Sequence, residues 1–104
     1  PEDLVMGLIP VRNQAPAARI EGNRLLIAKA GVNSPVEAWV FDDLELWILD
    51  CFDGYSSLGA IAGQAQERWG LDRRAAWLRV RRLFEVLAGL ALFVPATPLD
   101  QGAP

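Results

Sequence analysis

At Asp42 the apolar residues of this chain change their period, and no other feature limits its possible folds as tightly. Upstream, short runs rich in Val, Leu, Ile and aromatics are separated by turn residues, which is the pattern of strands. Downstream, apolar residues recur at i, i+3, i+4 and i+7, the pattern of helices with one buried face. Leu44, Trp47, Ile48 and Cys51 make the first stripe, and Leu58, Ile61, Ala62 and Ala65 the second. Ala76, Trp77, Val80, Leu83, Phe84 and Leu87 make the third, and they fall within roughly 120° of one another on a helical wheel.

Capping residues punctuate these stripes. Asp42 or Asp43 caps the first helix, because its carboxylate accepts the free N–H groups of the first turn. Gly54 is expected to stop that helix by entering the left-handed C′ conformation. Ser56 or Ser57 caps the second helix, which Gly70 closes after Trp69, and Asp72 caps a third running to about Ala88. Before Asp42, Gly22-Asn23 marks a turn, "RLLIAKA" (24–30) a strand, "GVNSP" (31–35) a loop and "VEAWVF" (36–41) a further strand. Strict alternation along that last strand puts Trp39 and Phe41 on one face, with Ala38 and Val40 on the other. "ALFVP" (91–95) reads as a short terminal strand ended by Pro95.

Strands followed by helices predict an α+β domain. The expected layout is a winged helix-turn-helix: a small antiparallel sheet of about three strands, three helices and a short terminal strand. The domain is expected over 18–95, after an irregular segment (1–17) with one short β piece at Leu8–Val11. The tail 96–104 has linker composition. A start at Pro1 and such a tail suit a domain cut from a longer protein as well as a frayed terminus.

Composition removes several chemistries. With 104 residues, 52% of them hydrophobic, the chain can bury one core. It has no histidine, hence neither the commonest general base nor the commonest metal ligand. The lone Cys51 allows no internal disulfide and falls on an apolar stripe, as a buried small hydrophobe would. Asp42, Asp43 and Glu45 complement a helix dipole, and Asp50 and Asp53 are expected to be solvated near its end. No phosphate-binding glycine loop occurs. A catalytic centre, a bound cofactor and a metal site are therefore not expected. The longest apolar stretch, Leu83 to Val94, is interrupted by Glu85 and Gly89 and is shorter than the about 20 residues a membrane span needs. A cytoplasmic setting without membrane contact is expected.

The basic residues are concentrated. Arg68, Arg73, Arg74, Arg79, Arg81 and Arg82 account for six of ten. On the third helix Arg74 and Arg81 lie beside Trp77 at the margin of the apolar stripe, and Leu78 points into the same charged flank. An ordinary solvated face explains this; so does a recognition face where Trp77 or Leu78 is framed by arginine. A net charge of −3 favours a peptide over nucleic acid as the partner of such a face.

The hinge "ILDCFDGYSSLGAIAGQAQERWG" (48–70) joins an apolar helix ending in Asp53-Gly54 to a serine cap followed by Leu58 and Ile61. It resembles the central helix-turn-helix of the PqqD-like family, the peptide chaperones and recognition elements of peptide-modifying systems. "WVFDD" leading into "LELWIL", and the closing "VRRLFEVLAGLALFV" (80–94), extend the resemblance over roughly residues 19 to 94. The resemblance implies a domain without chemistry of its own. It would bind the leader segment of a precursor peptide as an added strand, in the groove between the third strand and the third helix, and present it to a modifying enzyme, fused or separate. Carried over by position, the implied strand edge is Val36, Glu37, Ala38, Trp39, Val40 and Phe41, and the helix side is Arg74, Trp77, Leu78 and Arg81. A homodimer is left open. The alternatives are a DNA-binding winged helix using Arg73, Arg74, Arg81 and Arg82, and a domain that docks on a larger enzyme.

Overall fold

The computed structural model describes residues 2–15 and 17–97. The elements run α1 (Glu2–Met6), β1 (Ile9–Arg12), β2 (Ala18–Glu21), β3 (Arg24–Ile27), β4 (Val36–Val40), α2 (Asp43–Cys51), α3 (Leu58–Trp69), α4 (Arg73–Gly89) and β5 (Phe93–Ala96). The fold is α+β, with a three-stranded antiparallel sheet in the order β2-β3-β4 followed by three helices and a terminal strand.

Glu21 faces Arg24 across the β2–β3 hairpin, leaving only Gly22 and Asn23 for the turn. Gly22 has φ 60°, which a two-residue hairpin requires and a residue with a Cβ resists. β3 then pairs with β4, but the register slips between Leu25 and Leu26: Leu25 faces Trp39 and Leu26 faces Glu37. Ala38 is the extra residue of this β-bulge. Among the described residues β4 is an edge strand, bonded to β3 on one side only.

Each long helix starts at an acid or a serine. Asp42 caps α2 with a complete capping box, its side chain accepting from the Glu45 amide while Glu45 accepts from the Asp42 amide. Ser57 caps α3 and Asp72 caps α4, each accepting an amide N–H of the first turn. α3 ends at Gly70, which adopts φ 65°. α2 ends differently from expectation. Its C-cap is Phe52, and Gly54, with φ 86°, lies two residues further on inside the hinge. Asp53 is not simply solvated: one carboxylate oxygen accepts the Tyr55 and Ser56 amides, each at 2.9 Å, closing the turn that glycine permits.

The helical stripes bury as their spacing demands. Ile48, Leu58, Ile61, Ala65, Ala76, Val80 and Leu87 are fully enclosed. Phe52 packs edge-to-face on Phe84 and Phe93, with ring centres 6.2 and 5.2 Å apart. Leu25 and Phe41 extend this core into the sheet.

The N-terminal segment differs most from its expected irregularity. Residues 2–6 are helical, and β1 pairs antiparallel with β5, from Ile9 facing Ala96 to Arg12 facing Phe93. The Leu8 carbonyl accepts the Leu58 amide at 2.9 Å, and α1 packs on α3, where a Cβ at Gly59 would come within 3.1 Å of Met6. The short β piece expected at Leu8–Val11 is β1, but local composition does not announce that its partner is at the other end of the chain. Of the tail expected at 96–104, Ala96 belongs to β5, and residues after Thr97 lie outside the described ones. Among the described residues, no helix is long and apolar enough to cross a membrane.

Candidate functional site

The bulge turns β4 into one wall of a groove. Because two residues of β4 oppose one of β3, Ala38 does not alternate away from Trp39 as expected. Both line the same cavity, together with Phe41. The opposite wall is α4, through Arg79, Arg82, Leu83 and Val86. Leu25 and Ile27 of β3 floor it, and the cavity has a volume of about 870 Å³. Trp39 and Val86 are both about half exposed, so apolar surface faces solvent from each wall.

One end of the groove is held by a polar network. Trp39 Nε1 donates to both carboxylate oxygens of Glu45, each at 3.3 Å. Glu45 Oε1 accepts the Asp42 amide at 2.9 Å, and Asp42 Oδ1 accepts the Glu45 amide at 2.8 Å. Asp42 Oδ2 accepts from Arg79 Nη2 at 2.8 Å. Partial burial pushes the Asp42 carboxyl upward, but the Glu45 amide and the Arg79 guanidinium together outweigh it, so the group lies below its ordinary 3.8. The same capping box that starts α2 thus orients the groove's indole and joins strand end to helix wall.

Six strand residues and four helix residues were expected at a strand–helix groove. Ala38, Trp39 and Phe41 line this one, whereas Val36, Glu37 and Val40 lie on β4 away from its lining. Val40 is half exposed, Glu37 approaches Arg24 at 3.7 Å, and Phe41 is buried. The four helix residues are elsewhere. Trp77 is buried in the core. With Arg74 it lines a smaller hollow of about 310 Å³, shared with Glu2, Asp3, Met6 and Arg73. Leu78 is exposed, and Arg81 Nε donates to Glu85 at 2.7 Å on the helix surface. The groove-facing flank of α4 is instead Arg79, Arg82, Leu83, Val86 and Leu90.

The missed residues do carry a signal. Arg79, Leu83, Val86 and Leu90 recur at i, i+4, i+7 and i+11, a strip along the margin of the core stripe opposite to Leu78. A wheel shows two such margins and does not say which one the sheet will cover. Among the described residues, no three His, Cys, Asp or Glu side chains converge to hold a metal ion. Burial, then the charges of Asp50 and Asp53, raise the Cys51 thiol above its ordinary 9.0, away from nucleophilic use.

Comparison with protein-family models, with curated proteins and with solved structures finds no match to this chain.

Proposed function

We propose that this chain is a non-catalytic peptide-recognition domain. It takes an extended segment of a precursor peptide as an added strand on β4 and presents it to a modifying enzyme, fused or separate. The observation that carries the reading is the open edge of β4 running beside an apolar groove whose other wall is α4. An added strand draws affinity from main-chain hydrogen bonds and specificity from alternate side chains seated in pockets, and this arrangement offers both. The Phe41 N–H is spent on the Asn23 carbonyl, at 2.7 Å. By antiparallel alternation the Val40 N–H then faces the open side, available to a partner. The PqqD-like pattern of the hinge supports the same reading.

A DNA-binding role for α4 has less support. Arg79 and Arg81 are each held by a carboxylate of the chain itself, and the net charge is −3.

The test is selection of a random displayed-peptide library on the wild-type domain, followed by affinity measurement on Val40→Pro and Trp39→Ala. Removing one edge donor and the groove's indole is expected to weaken the selected peptides about tenfold or more in each variant. Circular dichroism establishes that the variants stay folded. Failure to select any peptide, or binding indifferent to both substitutions, would sink the proposal. A mixed-sequence DNA duplex bound tightly at low salt, with affinity falling steeply as salt rises, would replace it.

A further inference from the structure

Among the described residues five charged side chains line the groove, and four are already engaged. Asp42 accepts from Arg79; Glu45 accepts from the Trp39 indole and the Asp42 amide; Glu85 accepts from Arg81. The fifth, Arg82, is exposed and makes no hydrogen bond or ion pair with any described residue. Arg82 is therefore the groove's one cation without an ionic partner among the described residues, while Glu45, whose partners are all uncharged, sets a negative charge beside the Trp39 indole. Arg82 lies beside the apolar surface of Leu83 and Val86.

Resting on the peptide-binding reading above, we propose that the groove selects a segment with an acidic side chain opposite Arg82 and an apolar side chain between Trp39 and Val86. Three points lead there. A guanidinium offers a planar fork of donors that matches a carboxylate in two-point contact. Its nearest competitor on α4, Glu85, is drawn off by Arg81 at 2.7 Å. Side chains of an added strand face the groove at every second position, so the acidic and apolar residues are two apart in the peptide. Partial closure of the groove over the pair raises its worth above that of a fully solvated ion pair. A basic side chain at the same position meets Arg82 as a like charge and is rejected, so one residue supplies both selection and exclusion.

The test uses peptides selected from the random library, each resynthesised with its acidic residue replaced by the matching amide and by lysine. Fluorescence anisotropy measures them against wild type, Arg82→Gln and Arg82→Glu. On wild type the amide version is expected to bind roughly fivefold more weakly than the acid, and lysine more weakly still. In Arg82→Gln that difference closes, and in Arg82→Glu the order of acid and lysine reverses. Arg82 is exposed, so these substitutions leave the fold in place. Peptides that lose binding on Val40→Pro but show no acidic preference, or an acidic preference unchanged in Arg82→Gln, overturn this inference while the strand-addition reading stands. Selected peptides indifferent to Val40→Pro and Trp39→Ala overturn both.

Discussion

Arg79 donates to Asp42 at 2.8 Å, and this contact ties the first cap of the helical half to the outer wall of its last helix. Asp42 is also the residue at which the chain leaves the sheet, so one carboxylate serves as helix cap, as partner of the groove's helix wall and as the end of its strand wall. The cap and the ion pair differ in energy. The cap satisfies an amide that would otherwise lack an intrahelical partner, whereas the ion pair joins two side chains that are both substantially exposed.

Asp42→Ala is expected to lower stability by about 1 kcal/mol, within the roughly 0.5–2 kcal/mol found for lost caps. Arg79→Gln is expected to cost less, under about 1 kcal/mol, because exposed pairs contribute little. Urea unfolding with an unchanged m-value measures both. An Arg79 effect exceeding that of Asp42 would show that the contact to α4, rather than the cap, dominates.

How legible this arrangement was depends on whether a feature is local. The buried set of α4 comprises Ala76, Trp77, Val80, Leu83, Phe84 and Leu87, the same six residues its spacing singles out. Ser57 and Asp72 are caps because a cap needs only its own first turn. The bulge at Ala38 was not legible, since it depends on how β3 and β4 meet and not on "VEAWVF" itself. Nor was the pairing of β1: the short β piece near Leu8–Val11 was legible, but its partner lies more than eighty positions away. The same limit explains the helix side of the groove. Trp77 belongs to the core stripe as its spacing says, and tertiary packing alone directs the Arg79–Val86 flank toward the sheet.

Phe52 ends α2 and touches aromatic rings of both α4 and β5. Truncation there opens a cavity where three elements meet. Phe52→Ala is expected to cost about 3–5 kcal/mol and Phe52→Leu clearly less. Since small domains hold only about 5–15 kcal/mol in total, the alanine variant should show a much earlier denaturant midpoint. A loss near 1 kcal/mol for Phe52→Ala would mean that the surrounding rings collapse into the space.

Two carboxyls set an acid limb. Asp53 lies below its ordinary 3.8 because the Tyr55 and Ser56 amides donate to it, and Asp42 lies below it as described. A lowered native value means that the unfolded chain binds more protons in the window between the two values, so stability rises with pH there. The contribution is present above the unfolded value of about 3.9 and is lost as pH falls through the lowered native values. Asp53→Asn keeps an oxygen for the turn amides yet cannot titrate. Denaturant midpoints followed from about pH 7 to about pH 3 should fall less steeply in this variant than in wild type. Parallel curves would exclude Asp53 from the limb.

Cys51 is half-buried at the end of α2, and burial together with Asp50 and Asp53 raises its thiol. Only the thiolate reacts with aromatic disulfide reagents. At about pH 8 the native protein is expected to be labelled markedly more slowly than free cysteine, and urea should restore the ordinary rate. Equal native and denatured rates would show an open, unperturbed thiol.

Ala91 adopts φ 60° at the turn between α4 and β5, where its carbonyl accepts from Asn13 Nδ2 at 2.8 Å. The Asn13 amide also donates to the Leu92 carbonyl at 2.9 Å, so one residue after β1 holds the turn that delivers β5 to it. A left-handed alanine costs roughly 1–2 kcal/mol relative to a right-handed one, a strain that glycine does not bear. Part of the relief is offset because glycine adds freedom to the unfolded chain. Ala91→Gly is therefore expected to stabilise the domain by up to about 1 kcal/mol, or roughly 4–8 °C in Tm for a domain of this size. Asn13→Ala acts in the opposite sense, with a loss of about 1 kcal/mol for the missing side-chain bond. Differential scanning calorimetry of the two variants separates strain from clamp. If Ala91→Gly lowers the melting temperature, the strained turn is not the weak point that its geometry indicates.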